Sequence, residues 1–138
     1  MSPRRSFHLP VRVYWEDTDG GGVVYYANYL KFMERARSEW LRSLGIDQAR
    51  LAREERIQFA VVEAEVRYRQ PARYDDLLDV SARIDSWKGA SVSFLQEVRR
   101  VDDLSLLASA SIRAACLDSD SLRPRPLPRA LLEELKRE

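Results

Sequence analysis

Apolar residues recur at helical spacing over one stretch of this chain and at strand spacing over most of the remainder. In residues 27–44, Tyr29, Met33, Ala36, Trp40 and Leu44 are spaced 4, 3, 4 and 4, with Leu30, Phe32 and Leu41 widening the stripe. Lys31, Glu34, Arg35, Arg37, Glu39 and Arg42 fall elsewhere, with Arg35 and Glu39 set as an i,i+4 pair. Gly45 stands where a helix stop is expected. Beyond it the period becomes two. Val62, Ala64, Val66 and Tyr68 alternate with Glu63, Glu65, Arg67 and Arg69, and Leu78, Val80, Ala82 and Ile84 with Asp79, Ser81, Arg83 and Asp85. Val92, Phe94 and Val98 hold one face of a third segment. Leu106, Ala108, Ala110, Ile112, Ala114 and Cys116 hold one face of a fourth. One long helix and several half-buried strands imply an α+β fold whose sheet is covered on one side.

A further strand precedes the helix. Val11, Val13 and Trp15 alternate with Arg12, Tyr14 and Glu16, and Pro10 fits near the strand start or on a sheet edge. Joins at Lys88-Gly89, at Asp102-Asp103 and over residues 71–76 imply that the last four strands pair in sequence order, as an antiparallel meander. Residues 47–56 read as a short, charged second helix. Residues 122–138 carry Pro124, Pro126 and Pro128, and are expected to form an extended strap and then a short helix from Arg129 to Glu138. Residues 1–6 read as a flexible basic tail. At 138 residues, with no repeat or compositional break, the expectation is one domain over 1–138.

Composition removes several classes of function. Lys and Arg number 23 against 22 Asp and Glu, so a net charge of +1 gives no reason to expect nucleic acid. The single cysteine, Cys116, excludes a disulfide framework and a multi-cysteine zinc site, and its strand position suits an inert core thiol. The single histidine, His8, is poorly placed for a Ser-His-Asp or Cys-His machine. No metal is expected. No apolar run reaches the ~18 residues of a membrane span, and no hydrophobic signal region comes after Met1, so the expectation is a cytoplasmic domain without membrane insertion. Any chemistry must come from carboxylates or backbone.

Two carboxylates stand out. Asp17 and Asp19 lie between the first strand and the long helix, followed by Gly20, Gly21 and Gly22, three of the five glycines in the chain. Aspartates favour turns and helix starts on structural grounds alone. The glycines, however, let a ligand approach the backbone, the apolar Val23-Val24-Tyr25-Tyr26 comes next, and the helix start offers free N–H groups and a positive dipole end. A carboxylate beside such a helix start is half of an acyl-transfer site. Gly20-Gly21-Gly22 is neither a dinucleotide fingerprint nor a P-loop, since Tyr25 stands where a third glycine would be and no Gly-Lys-Ser/Thr comes after it.

Residues 11–19 (VRVYWEDTD), 22–29 (GVVYYANY), 32–37 (FMERAR) and 71–77 (PARYDDL) closely resemble the acyl-CoA thioesterases of the 4-hydroxybenzoyl-CoA thioesterase family, most strongly the YbgC type. The resemblance covers nearly the whole chain. It implies a hotdog fold, in which one long helix is wrapped by a roughly five-stranded antiparallel sheet, and a homodimer or homotetramer. It implies an acyl-CoA substrate with a short, medium or aromatic acyl group, and no cofactor beyond the coenzyme A of that substrate. Asp19 matches the family's catalytic carboxylate, as nucleophile or general base, and the backbone N–H of Tyr26 matches its carbonyl polariser. Asp17 would brace the turn, Gly22, Val23 and Tyr25 would line the substrate, and Lys88 and Ser91 would hold the coenzyme A. The chain departs from the pattern at Tyr26, where YbgC-type chains commonly carry histidine, and in keeping only Lys88 of a basic cluster. Alternative readings are an acyl carrier protein as acyl donor, and a hotdog-fold binding or scaffold protein.

Overall fold

The computed structural model describes residues 6–137. Strand β1 (Phe7–Arg12) leads to α1 (Asn28–Ser43) and a one-turn α2 (Gln48–Arg50) that widens over Leu51–Glu55. Strands β2 (Ile57–Tyr68), β3 (Leu77–Lys88), β4 (Ser91–Arg100) and β5 (Leu106–Asp118) come next, and α3 (Arg129–Lys136) ends the fold. Residues 1–5 of the tail expected over 1–6 lie outside the described residues, as does the Glu138 end of the expected last helix.

All five strands form one antiparallel sheet in the order β1-β3-β4-β5-β2. This is the hotdog arrangement, with one correction to the expected meander. β3, β4 and β5 do follow one another, but β2 pairs with β5 at the far edge and not with β3. The join over residues 69–76 is no hairpin, because it is bound along its length by other segments. Arg69 N–H donates to Leu107, Ala72 N–H to the Tyr29 hydroxyl, Tyr74 N–H to Gly22 and Asp75 N–H to Val13. The join therefore crosses the end of the sheet and is fastened to the segment before α1.

The predicted inner face is the core. Leu78, Val80, Ala82, Ile84, Val92, Phe94 and Val98 are buried beneath Phe32, Met33 and Ala36 of α1. α1 lies mainly over β3, β1 and β4, which leaves the β2 side of the inner face more open. Its C-terminus closes as a Schellman motif, with Gly45 N–H to Arg42 and Ile46 N–H to Leu41. Glu39 pairs with Arg42 at 2.8 Å rather than with Arg35, whose guanidinium lies over Phe32.

Several positions differ from expectation. The first strand stops at Arg12, and Trp15 turns out on a 3₁₀ turn to meet Tyr74 edge-on. The alternation in β2 is broken by a bulge at Val62, so Val61, not Val62, keeps step with Ala64. Leu30 is exposed. Arg37 is buried instead, because Gln96 at an inward position of β4 accepts from its Nη1 at 2.9 Å. The Gln96 amide in turn donates to the carbonyls of Met33 and Ser81.

Candidate active site

The segment between β1 and α1 is a small hydrogen-bonded turn. Thr18 bridges Val24, and Asp19 N–H donates to Val23 across it at 2.9 Å. Gly20 and Gly22 take φ of 93° and 86°, a region open to glycine at no steric cost, so the chain reverses within four residues. Gly22 is held by Tyr74, whose N–H donates to its carbonyl. Val24 N–H donates to Ala72.

Asp17 braces this turn on both sides. Its carboxylate accepts from Tyr14 N–H at 2.8 Å, and its carbonyl accepts from Tyr25 N–H and the Asn28 amide. Asp19 is exposed at the turn tip. Its Oδ1 accepts from Gly21 N–H at 2.8 Å, while Oδ2 has no partner among the described residues. A carboxylate fixed by one oxygen presents the other in a defined direction.

Tyr26 stands two residues ahead of α1. Its N–H donates to no acceptor among the described residues, which leaves it open at the place where a carbonyl-polarising donor is expected. Its carbonyl accepts from the Tyr68 hydroxyl at 3.1 Å, and its exposed ring packs against those of Tyr25 and Tyr68. Tyr29 completes an aromatic group with Tyr68, and burial pushes both hydroxyls above their ordinary range. Tyr26, Tyr29 and Tyr68 line a surface pocket of about 250 Å³ with Val24 and Pro71. Sequence reasoning missed Tyr68 as a site residue, since its place at the end of an alternating run marks only a strand face. Its neighbours Arg69-Gln70-Pro71, where the alternation ends, were the available signal.

Asp17, Asp19, Gly22, Val23, Tyr25 and Tyr26 thus share one region. Lys88 and Ser91 do not. They face each other in the β3–β4 hairpin, where Ser91 Oγ donates to the Lys88 carbonyl at 3.0 Å. The Asp19 turn comes after Arg12, which pairs with Leu77 at the other end of β3. The length of that strand, at about 3.3 Å per residue, separates the two places by roughly 35 Å. Cys116, buried with its thiol pushed up by desolvation, donates to Pro126 and is remote from the turn.

The family model of the thioesterase-like superfamily matches residues 13–135. The chain belongs to the thioesterase-like superfamily. The acyl-CoA thioester hydrolase YbgC of Escherichia coli O6:H1 is 43% identical to it over 130 residues, covering 94% of this chain and 96% of that protein. A probable thioesterase from Bartonella henselae superposes with a TM-score of 0.84 at 36% identity, covering 90% of this chain and all of that one. A 1,4-dihydroxy-2-naphthoyl-CoA thioesterase from Synechocystis superposes with a TM-score of 0.89 at 25% identity, covering 96% of each. The thioesterase-like match thus spans both arms of the Asp19 turn and the whole of α1.

Proposed function

We propose that the protein hydrolyses acyl-CoA thioesters to a free acid and coenzyme A. The observation that carries this reading is a pair of groups on one turn without partners among the described residues: Asp19 Oδ2 on the first arm and the Tyr26 N–H beyond the second. The thioester carbonyl would accept from Tyr26 N–H, which stabilises the oxyanion as it forms. Asp19 then either attacks that carbon, giving a mixed anhydride opened by water, or removes a proton from the attacking water. Either route ends with the carbon–sulfur bond broken and the proton on coenzyme A sulfur. Tyr26 in place of histidine removes a side-chain proton shuttle and keeps the backbone donor.

Assembly supplies the missing cation. β2 is a long edge strand without proline, and Val61 and Val62 are half exposed along it. Two copies pairing by this edge about a two-fold axis would run antiparallel, so each sheet would present its Lys88 end beside the Asp19 end of the other. A homodimer, or a tetramer of two such pairs, is the proposed working form, with coenzyme A held across the join. We place this activity in the cytoplasm; among the described residues no helix is long and apolar enough to cross a membrane. The distance of Lys88 from Asp19 in one chain favours a second donor, acyl carrier protein, if the assembly proves monomeric. The deciding measurement is thiol release from a series of acyl-CoA substrates, run beside Asp19→Asn. Turnover by the parent and its loss in a folded variant is the expected result.

A further inference from the structure

Helix α1 starts one residue later than its backbone angles allow. Ala27 already has helical values, φ −69° and ψ −21°, so a regular first turn would pass the Leu30 N–H to the Tyr26 carbonyl. That bond is not made. Leu30 N–H goes to the Ala27 carbonyl at 3.2 Å, and the Tyr26 carbonyl takes no main-chain donor among the described residues. Its partner is the Tyr68 hydroxyl, 42 residues further along the chain.

Two holds, one on each side, set the direction of the Tyr26 N–H. That N–H belongs to the peptide joining Tyr25 to Tyr26, whose carbonyl accepts from Asn28 N–H at 2.8 Å. A trans peptide is planar, with N–H opposed to C=O, so fixing the carbonyl fixes the donor. The Asn28 amide is itself tied to the Asp17 carbonyl, which also takes Tyr25 N–H. On the other side of the Tyr26 Cα the hold is Tyr68. Its ring stands edge-on to Tyr29 at 5.4 Å and to Tyr26 at 6.1 Å. Its backbone closes β2 opposite Ala108, and the next two N–H groups, of Arg69 and Gln70, share the Leu107 carbonyl. Burial raises its hydroxyl above the ordinary range, so it keeps its proton as pH rises past neutrality.

Resting on the thioesterase reading above, we infer that Tyr68 is a positioning residue of the reaction: its hydroxyl withholds the Tyr26 carbonyl from the helix and so keeps the Tyr26 N–H set for the thioester carbonyl. Tyr68 acts through Tyr26 and needs no contact with the reacting atoms. Without the hydroxyl, the Tyr26 carbonyl has a waiting donor in Leu30 N–H, and accepting it draws Tyr26 toward the helix and turns its N–H. Outright loss of one oxyanion donor costs about 10²–10³ in rate. A donor kept but turned away costs a part of that, about tenfold.

The test is Tyr68→Phe in the full chain, which keeps both ring contacts at a half-exposed position and removes only the hydroxyl. On an acyl-CoA that the parent hydrolyses, kcat is expected to fall about tenfold with KM and melting temperature near their parental values, as when an interaction of the transition state is lost. Parental kcat, or a rise in KM alone, overturns the inference. Infrared spectra of a carbonyl-13C acyl-CoA bound to Asp19→Asn read the polarisation directly. The carbonyl band should lie below its solution frequency, and most of that shift should vanish when Tyr68→Phe is added; an equal shift in both proteins overturns the inference. If the parent hydrolyses no acyl-CoA, the thioesterase reading fails instead, and amide hydrogen exchange decides the positioning. Leu30 N–H should then gain roughly tenfold protection in Tyr68→Phe as it takes the freed carbonyl, and unchanged exchange at Leu30 overturns it.

Discussion

At the end of the sheet where β1 leaves and β3 enters, two segments distant in sequence are laced together by main-chain hydrogen bonds. Val13 exchanges bonds with Asp75 and Asp76, Val24 N–H reaches Ala72, and Tyr74 N–H reaches Gly22. At the opposite end β3 and β4 turn over two residues at Gly89 and Ala90, and the proline strap covers the neighbouring strand through Leu117 and Pro124. At the first end a backbone donor, Tyr26 N–H, and a carboxylate oxygen, Asp19 Oδ2, stand without a partner among the described residues on one turn. The two-residue hairpin carries no carboxylate in its turn, whereas the laced turn holds Asp19 and Tyr26 together. On the proposed reading the first end carries the chemistry and the second the anchoring, and the distance between them is what assembly would bridge.

The contrast breaks most directly at Asp19. Asp19→Asn keeps an oxygen for Gly21 N–H and removes the free carboxylate oxygen, so kcat is expected to fall by about 10²–10⁴ with an unchanged melting temperature. A folded variant with parental turnover would make the turn purely structural. The next largest effect belongs to the edge that would join opposite ends. Val62→Lys places a charge on the exposed bulge of β2, along the edge that a two-fold pair would share. Light scattering should show the mass fall from twice 16.0 kDa toward 16.0 kDa, with roughly tenfold less kcat/KM. A parent that is already monomeric removes the composite site.

Smaller effects sharpen the division of labour. Asp17→Ala leaves Tyr14 N–H without its acceptor and should cost about 1 kcal/mol in a denaturant titration, with a lesser change in kcat than at Asp19. Loss of activity without loss of stability would move Asp17 from brace to participant. At the far end, Lys88→Ala should raise KM for acyl-CoA a few-fold and leave kcat near its parental value, as when uniform binding is removed. The same variant should show no change on a thioester lacking phosphates. An unaltered KM on acyl-CoA returns Lys88 to an ordinary exposed loop.

How much of this was legible depended on whether the signal was local. The α1 stripe and the alternation in β3, β4 and β5 are local, and the buried set Phe32, Met33, Val80, Phe94 and Ile112 comes from them. The position of β2 is not. Its alternation fits pairing with β3 as well as with β5, and what decides is the tethering of residues 69–76 to Tyr29, Val13 and Gly22, contacts that no periodicity encodes. The bulge at Val62 was invisible for a related reason, since two consecutive valines satisfy either register. Within the site, Asp17 and Asp19 were legible from the glycine turn, whereas Tyr68 reaches Tyr26 only through the crossing of β2. The burial of Arg37 was hidden in the helix pattern because its partner, Gln96, lies on another strand.

That partnership bears on how the helix is indexed against the sheet. Apolar side chains of similar size let a helix slide by a turn over a smooth sheet at modest cost. Gln96 forbids this, because it joins Arg37, the Met33 carbonyl and the Ser81 carbonyl from a single inward position, and a slip would strand all of them without partners in the core. The helix start is thereby keyed to the sheet, and with it the Tyr26 N–H to the tip of the Asp19 turn. Replacing either member alone should loosen this keying, visible as faster amide exchange at the first turn of α1, whereas a matched apolar pair would restore stability and leave the angular setting of the helix unguarded.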